Sequence, residues 1–298
     1  MTAFPPMREG ILTRGIGSFY TVEEKDGTRH TVRAKKKFRK LRLTPMVGDR
    51  VRFTPGSGEE HGWLEEILPR DNEMVRPPVS NISLLLMVIA PAPEADLLLV
   101  DRMLAQARRQ GIERKILVNK QDLDPDLSGR IREIYRGADC EVLSCSAVTG
   151  EGLEAVRRAM TGQVSCLAGQ SGVGKSSLLN AILETRQETG EISPRIARGR
   201  NTTRHVELFT AGGIRVLDTA GFSLLEMTEI MDPVTLKEDY PEFVALEGQC
   251  RFSPCLHDRE PGCAVMEAVR AHRISPERVE RYRILLGQVR ETWKERYD

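Results

Sequence analysis

Hydrophobic and polar positions change rhythm twice along this chain. Up to residue 75 apolar residues come in short bursts, and no helical period is sustained. Strands are predicted over 15–23, 30–34, 50–54 and 62–67, with Gly17, Gly27, Gly48, Gly56 and Gly58 between them. Closely spaced strands with glycine turns predict a small β-barrel or sandwich, and an OB-like barrel fits the length. Pro77 and Pro78 mark a linker. Beyond it, 84–90 is a continuous apolar run suited to a buried parallel strand. Residues 94–110 carry Leu97, Val100, Leu104 and Ala107 at helical spacing. Strands at 115–118, 141–144 and 164–168 then alternate with helices at 128–135, 152–160 and 176–183, which predicts an α/β domain with a mostly parallel sheet. Residues 205–210 and 214–217, joined by Ala211-Gly212-Gly213, read as a hairpin. From about Met227 the β pattern fades into two helices, 263–273 and 276–291, the second with Ser275 as N-cap and Pro276 at its first position.

Composition narrows this picture little. The 298 residues are 40% apolar and 29% charged with a net charge of +1, an ordinary soluble balance that singles out no partner. The N-terminus lacks a basic run before an apolar core, and the apolar stretch 82–93 is too short to span a bilayer. The expectation is a cytoplasmic protein without a membrane partner. Local charge says more: the ten residues 33–42 hold seven Lys or Arg and no acid. Such a run serves as a solvated edge or as a contact surface for nucleic-acid phosphates. Phe38 inside it either stacks on a base or packs into the barrel, the latter being favoured. Cys140, Cys145 and Cys166 lie among apolar and small residues and read as small buried thiols.

The strongest chemical signal is Gly169-Gln170-Ser171-Gly172-Val173-Gly174-Lys175-Ser176, which matches the phosphate-binding pattern G-x-x-x-x-G-K-[ST] without departure. A strand enters it and a helix leaves it, with Ser177 in the first helical turn. Glycines let backbone N–H groups curl round an anion, and the helix N-terminus adds partial positive charge. Lys175 can reach the β and γ phosphates, and Ser176 can place its hydroxyl on Mg²⁺. Downstream, the strand 214–217 delivers Asp218, a carboxylate placed to hold the same Mg²⁺ through water. Gly221, after Thr219 and Ala220, can bring its N–H to the γ phosphate.

Phosphate loops serve ATP and GTP alike, so the base is read elsewhere. Asn119-Lys120-Gln121-Asp122 follows the strand 115–118. Guanine presents two adjacent donors, N1–H and the 2-amino group, and one carboxylate, Asp122, can accept both. Adenine would leave that carboxylate unpaired, at a cost that makes the pairing selective. Asn119 can tie neighbouring loops, the Lys120 stem can lie across the purine, and the backbone of Ser146 and Ala147 after strand 141–144 can meet the guanine carbonyl. In the usual GTPase order the phosphate loop comes first, whereas here the base loop precedes it by about fifty residues. Circular rearrangement keeps the spatial site where the old termini lay close. It also runs the segment after Asp218 directly into the C-terminal region, so nucleotide-driven movement of that segment is expected to pull on it.

With these motifs in this order, the chain resembles the circularly permuted GTPase family that depends on the small ribosomal subunit, a bacterial ribosome-maturation family. The likeness covers nearly the whole chain and implies three parts. An OB-fold RNA-binding domain is expected over 1–75, a circularly permuted P-loop GTPase α/β domain over 76–228, and a zinc-binding helical domain over 229–298. It implies GTP hydrolysis to GDP in late maturation of the 30S subunit, with contacts to 16S rRNA, stimulation by that subunit, and a monomer. The alternative is an RNA-binding module that uses GTP only as an ordering ligand. A small-molecule kinase shares the phosphate loop but explains neither the base loop nor the cysteine cluster.

The resemblance also assigns the segment Gly199-Arg200-Asn201-Thr202-Thr203-Arg204 as a switch, with Thr203 rather than Thr202 on Mg²⁺ and acting in catalysis with Lys175. Family members often carry histidine where Asn201 stands; Asn201 cannot act as a base, so either water is oriented differently, or His205 compensates, or that histidine is not essential, and a histidine at a strand start is more often structural. Phe222 occupies the place of a water-orienting glutamine, so slow intrinsic hydrolysis is expected. Finally, Cys250, Cys255, His257 and Cys263 read C-x₄-C-x-H-x₅-C. Three thiolates and one imidazole in fourteen residues suit a closed tetrahedral structural Zn²⁺. The spacing is not a common finger pattern, and the resemblance supplies the specificity.

Overall fold

A computed structural model describes residues 6–56, 60–75, 78–184, 206–218 and 231–295. They fall into two compact units, one drawn from 1–84, 157–167 and 183–222 and the other from 85–156, 168–182 and 223–298.

The first unit begins with β1 (Arg8–Ile16), β2 (Phe19–Glu23), β3 (Arg29–Ala34), α1 (Lys36–Lys40), β4 (Arg50–Thr54) and β5 (Gly62–Ile67). Pairing runs β1-β2-β3-β5-β4 and closes through β4 on β1, with β3–β5 parallel and the other pairs antiparallel. A closed five-stranded barrel with a helix between its third and fourth strands is the OB arrangement. Alternation fills it with Val22, Val32, Val51, Phe53 and Leu64. Phe38 on α1 packs into the same core, 3% exposed, so it does not stack on a base. The strand expected over 15–23 is instead two strands, because Gly17, at φ +61°, turns the chain between them.

Of the expected linker, Pro77 lies outside the described residues. Pro78 opens β7 (Pro78–Ser80), which pairs with β6 (Glu73–Val75). Buried Asp49 holds this hairpin by accepting from Ser80 Oγ at 2.7 Å and from Arg70 Nε at 2.7 Å.

The α/β part follows as β8 (Leu84–Ile89), α2 (Leu97–Arg109), β9 (Glu113–Val118), α3 (Leu127–Ile134), β10 (Glu141–Ser144), α4 (Leu153–Met160), β11 (Val164–Ala168) and α5 (Lys175–Glu184). Every residue of β8 is buried, which is why it reads as an unbroken apolar run. β10 pairs parallel with β9, and β9 neighbours β8. In the first unit β11 pairs parallel with β13 (Ile214–Asp218), and β13 pairs antiparallel with β12 (Glu207–Ala211), the expected hairpin. β12 in turn pairs with β1 at Glu207 and Arg14. Cys145 and Cys166 are buried, but Cys140 is only half-buried at the tight turn before β10.

The C-terminal part of the second unit consists of a 3-10 turn (Pro233–Asp239), α6 (Pro241–Val244), α7 (Ala264–Arg270) and α8 (Pro276–Lys294). Its core centres on Tyr240, Phe243 and Tyr282, whose ring centroids lie 4.9–5.0 Å apart. Each such aromatic pair contributes about 0.5–1.5 kcal/mol beyond area burial. Ser275 stands at the N-cap of α8 and Pro276 at its first position, but the Ser275 side chain makes no capping bond. Among the described residues no helix is long and apolar enough to cross a membrane.

Candidate nucleotide site and metal centre

β11 ends at Ala168 and α5 starts at Lys175, so the phosphate-loop motif occupies the turn between them. Gly169, Gly172 and Gly174 take φ of +138°, +86° and +93°, conformations that glycine adopts without penalty. Crowding reinforces that need: a Cβ on Gly169 would lie 2.1 Å from the Val88 carbonyl oxygen, and one on Gly174 would lie 2.5 Å from Asn119 Nδ2. Val173 is fully buried and anchors the loop. Lys175 Nζ donates to the carbonyls of Gly169 and Gln170, both at 2.6 Å, which folds the ammonium against the loop's own backbone. Ser176 and Ser177 lie in the first turn of α5.

The base-loop motif sits where β9 ends. Asn119 is 1% exposed, and its backbone N–H donates to Ile89 O at the matching end of β8, 2.8 Å. Its Nδ2 donates to Val173 O at 2.9 Å, while its Oδ1 accepts from Ala147 N at 3.1 Å and from Cys145 Sγ at 3.7 Å. One amide thus joins three loops that the sequence separates by up to 54 residues. Lys120, at φ +59°, reaches back to donate from Nζ to Gly172 O at 2.8 Å and to Ala92 O at 2.7 Å. Asp122 is exposed and bonds to none of the described residues. Ser146 is buried, and its hydroxyl accepts from the N–H groups of Val148 and Thr149, which sets the turn carrying Ala147. Burial pushes the Cys145 thiol up to about 12, so it is inert at neutral pH.

Asp218 is the last residue of β13, and its side chain is outside the described residues. So are Thr203, Gly221 and the neighbouring Asn201, Thr202, His205 and Phe222.

The second cluster is Cys250, Cys255, His257 and Cys263, whose Sγ and imidazole donor atoms all lie within 4.8 Å of one another. Tetrahedral zinc–thiolate bonds of about 2.3 Å would place the sulfurs roughly 3.8 Å apart, so this set can close around one metal ion. His257 takes φ +57° to point Nδ1 at Cys263 Sγ, 3.4 Å, and at Cys250 Sγ, 3.7 Å. Ala264 N donates to Cys250 Sγ at 3.3 Å. Glu260 ties the loop by accepting from the N–H groups of Leu256, Asp258 and Arg259. Burial pushes its carboxyl up, yet those backbone donors outweigh it and hold it below the usual range. Four protein donors leave no open position, the mark of a structural centre.

Comparison with known proteins places this geometry. The family model described as RsgA GTPase matches residues 67–228, and that of the RsgA N-terminal domain matches residues 9–64. The chain is 42% identical over 283 residues to the small ribosomal subunit biogenesis GTPase RsgA of Ruminiclostridium cellulolyticum, covering 93% of this chain and 92% of that one. Against the protein of the same description from Geobacillus thermodenitrificans, identity is 42% over 300 residues, covering 98% and 100%. The chain belongs to the RsgA GTPase family. Solved structures agree: YjeQ from Thermotoga maritima superposes with a TM-score of 0.80 at 34% identity over 95% of this chain and 99% of that one. YloQ, described as a circularly permuted GTPase, gives 0.79 at 31% over 98% of both.

In this RsgA-family chain one part of the machinery escapes motif reading. Gln170 Oε1 accepts from Asp96 N at 2.9 Å, and Asp96 caps α2 by accepting from Leu99 N. Further along α2, Asp101 is fully buried and accepts from Arg278 Nη1 and Arg281 Nε, each at 2.6 Å, and from Tyr135 Oη at 2.7 Å. Arg278 also bonds Glu242 and lies over the rings of Tyr135 and Tyr240 at 4.9 and 4.6 Å. Arg102, Arg108 and Arg109 add bonds to Gln288, Glu238 O and Asp239. α2 therefore touches the phosphate loop at one end and the C-terminal helices along its length. The signal was present: Asp101 interrupts the apolar spacing of Leu97, Val100 and Leu104, and a charge on that face needs a buried partner.

Proposed function

We infer that this protein hydrolyses GTP to GDP in the maturation of the small ribosomal subunit, binding 16S rRNA and being stimulated by the 30S particle. The observation that carries this reading is the joint through Asn119, which fixes the candidate base loop against the phosphate loop so that one nucleotide can use both. Its family membership and the naming of its relatives as small-subunit biogenesis GTPases support the biological setting.

In this reading Asp122 accepts guanine N1–H and the 2-amino group, the Lys120 stem covers the purine, and the Ser146–Ala147 turn meets its carbonyl. Gly169, Gln170, Ser171, Gly172, Val173, Gly174, Lys175, Ser176 and Ser177 hold the phosphates. The half-buried hydroxyl of Ser176 at the head of α5 suits a Mg²⁺ ligand, with Thr203 and, through water, Asp218 as the others. When bound, Mg²⁺ would neutralise charge on the β and γ oxygens. Lys175 and the loop N–H groups would stabilise charge as water attacks in line, with Gly221 at the γ phosphate. Asn201 offers no base and Phe222 offers no water-orienting amide, so the subunit orders the site or supplies the missing group.

The C-terminal Cys₃His centre is assigned to one structural Zn²⁺. The proposed division is 1–75, 76–228 and 229–298, working in the cytoplasm as a monomer. Multiple-turnover phosphate release from GTP and ATP, alone and with purified 30S, 50S and 70S particles across a salt series, tests the reading. Selective use of GTP with stimulation by 30S is expected. Turnover that stays negligible with every particle would point to the ordering-ligand alternative.

A further inference from the structure

The barrel carries an aromatic and cationic row that the nucleotide site does not use. Register pairs Phe19 on β2 with Arg33 on β3, and Arg33 with Trp63 on β5. Cross-strand partners share a face, and this face is the outer one, since the alternate residues Val32 and Leu64 fill the core. Phe19 is 40% exposed and Trp63 45%, large values for rings of this size. The Arg33 guanidinium lies over the Phe19 ring at 5.1 Å from its centre, and His61 meets the same ring edge-on at 4.8 Å.

The barrel's cations divide into paired and unpaired ones. Arg8, Arg29, Lys35, Arg50, Arg52 and Arg70 all have carboxylate partners. In contrast, Arg33 and the α1 residues Lys36, Lys37, Arg39 and Lys40, with Arg42 just beyond, have none among the described residues. Glu65, two residues from Trp63 along β5, is engaged by Lys35 Nζ at 2.5 Å. α1 follows β3 after one residue, so the unpaired cations begin where the row passes Arg33.

We propose that Phe19, Arg33 and Trp63 form a stacking platform for unpaired bases of single-stranded RNA, whose backbone is held by the cations of α1. Three features select that partner. Exposed rings offer faces to any base, and unpaired cations offer contacts to phosphates. The two rings stand two strands apart, roughly 9–10 Å by ordinary strand spacing. Adjacent bases in a duplex are only about 3.4 Å apart along each strand, so neighbouring bases can use both rings only when splayed. The geometry therefore favours a loop, bulge or open strand over a helix. That the nucleic acid is RNA rests on the functional reading above; the mode of binding rests on the barrel alone.

Trp63 is its own reporter in a Trp293→Phe background, since the chain's other tryptophan is Trp293 in α8. The full-length protein is titrated with an unstructured octauridine and with an RNA duplex of the same length. Quenching of Trp63 emission by the single strand is expected, with the duplex binding more weakly and quenching little. Phe19→Ala with Trp63→Ala should weaken octauridine binding, followed by anisotropy of a labelled strand, between about 5-fold and about 150-fold per lost stack. Trp63→Phe should retain most affinity. Charge removal, with Lys36, Lys37, Arg39 and Lys40 changed to Gln, should flatten the salt dependence while Trp63 is still quenched. Wild-type affinity in the folded double ring variant, checked by its melting temperature, overturns the platform, as does equal binding and quenching by the duplex. Failure of 30S to stimulate GTP turnover while the strand still quenches Trp63 would count against the functional reading alone.

Discussion

The side-chain amide of Asn119 donates to the carbonyl of Val173 at 2.9 Å, inside a pocket that solvent does not reach. This bond makes the two candidate halves of the nucleotide site one object. Asn119→Ala leaves the buried Val173 carbonyl without its partner, at about 1–3 kcal/mol, and frees the half-buried Ala147 amide at a smaller cost. GTP and GDP affinity should both fall at least tenfold, with a lower melting temperature. Titration with a fluorescent guanine nucleotide measures this. Asp122→Asn, at an exposed position, should by contrast keep the melting temperature but lose the preference for guanine. Unchanged discrimination against ATP in that variant would remove Asp122 from base recognition.

Gly174 faces the same amide. An alanine there must accept a left-handed backbone, at about 1–2 kcal/mol, and a Cβ 2.5 Å from Asn119 Nδ2. The loop and the base segment cannot both keep their positions, so Gly174→Ala should abolish measurable nucleotide binding while the barrel stays folded. Isothermal titration with GDP checks it; near-native affinity would show that the joint is dispensable.

The ion cluster under α2 makes a strong claim about stability. Arg278→Ala strips buried Glu242 of its guanidinium and leaves Asp101 with Arg281 and Tyr135, and breaking such a buried pair costs about 3–5 kcal/mol. Arg278→Met combined with Glu242→Gln should cost less than Arg278→Ala alone, because Asp101 keeps Arg281 and no unpaired charge stays buried. Urea midpoints of the variants decide this. If the double variant proves the less stable, the cluster is net stabilising through its bonds rather than costly only when broken.

A pH signature follows from Asp239, whose carboxylate accepts from Arg109 Nε at 2.5 Å. Burial pushes this carboxyl up to about 6 and outweighs the pull of the guanidinium. The folded protein then keeps a proton that the unfolded chain, near 3.9, gives up. Its contribution is favourable at low pH and is lost as pH rises from about 4 through about 6. Asp239→Asn should flatten that part of the stability curve in thermal melts between pH 4.5 and 7.5. An unaltered slope would assign the pH dependence elsewhere.

Metal removal should act on the C-terminal helices first. Burial pushes Cys255 up to about 12 and raises Cys263, while it lowers His257. A metal ion takes thiolates and neutral imidazole, so uptake releases protons and apparent affinity falls as pH is lowered. Chelation near pH 6 should therefore strip the ion more readily than near pH 8. Elemental analysis of the native protein should give one zinc per chain, and a zinc-free preparation would withdraw the assignment.

Local spacing alone determined a good deal here. Period-two and period-3.6 patterns located most of the α/β elements, because each one buries a face of its own and local spacing reports that burial directly. The phosphate loop, the base loop and the Cys₃His spacing were likewise legible, since they depend on short-range chain geometry. Only the tertiary structure decided which groups from distant segments meet: the Asn119–Val173 bond, the Gln170–Asp96 contact, the buried pairing of Asp101 with Arg278, and the row from Phe19 to Trp63. The turn at Gly17 and the pairing of β7, which Pro78 opens, with β6 also needed it, because strand register is set by the partner strand. A sequence states what each residue can bond; folding alone determines which partner, many residues away, comes within 3 Å of it.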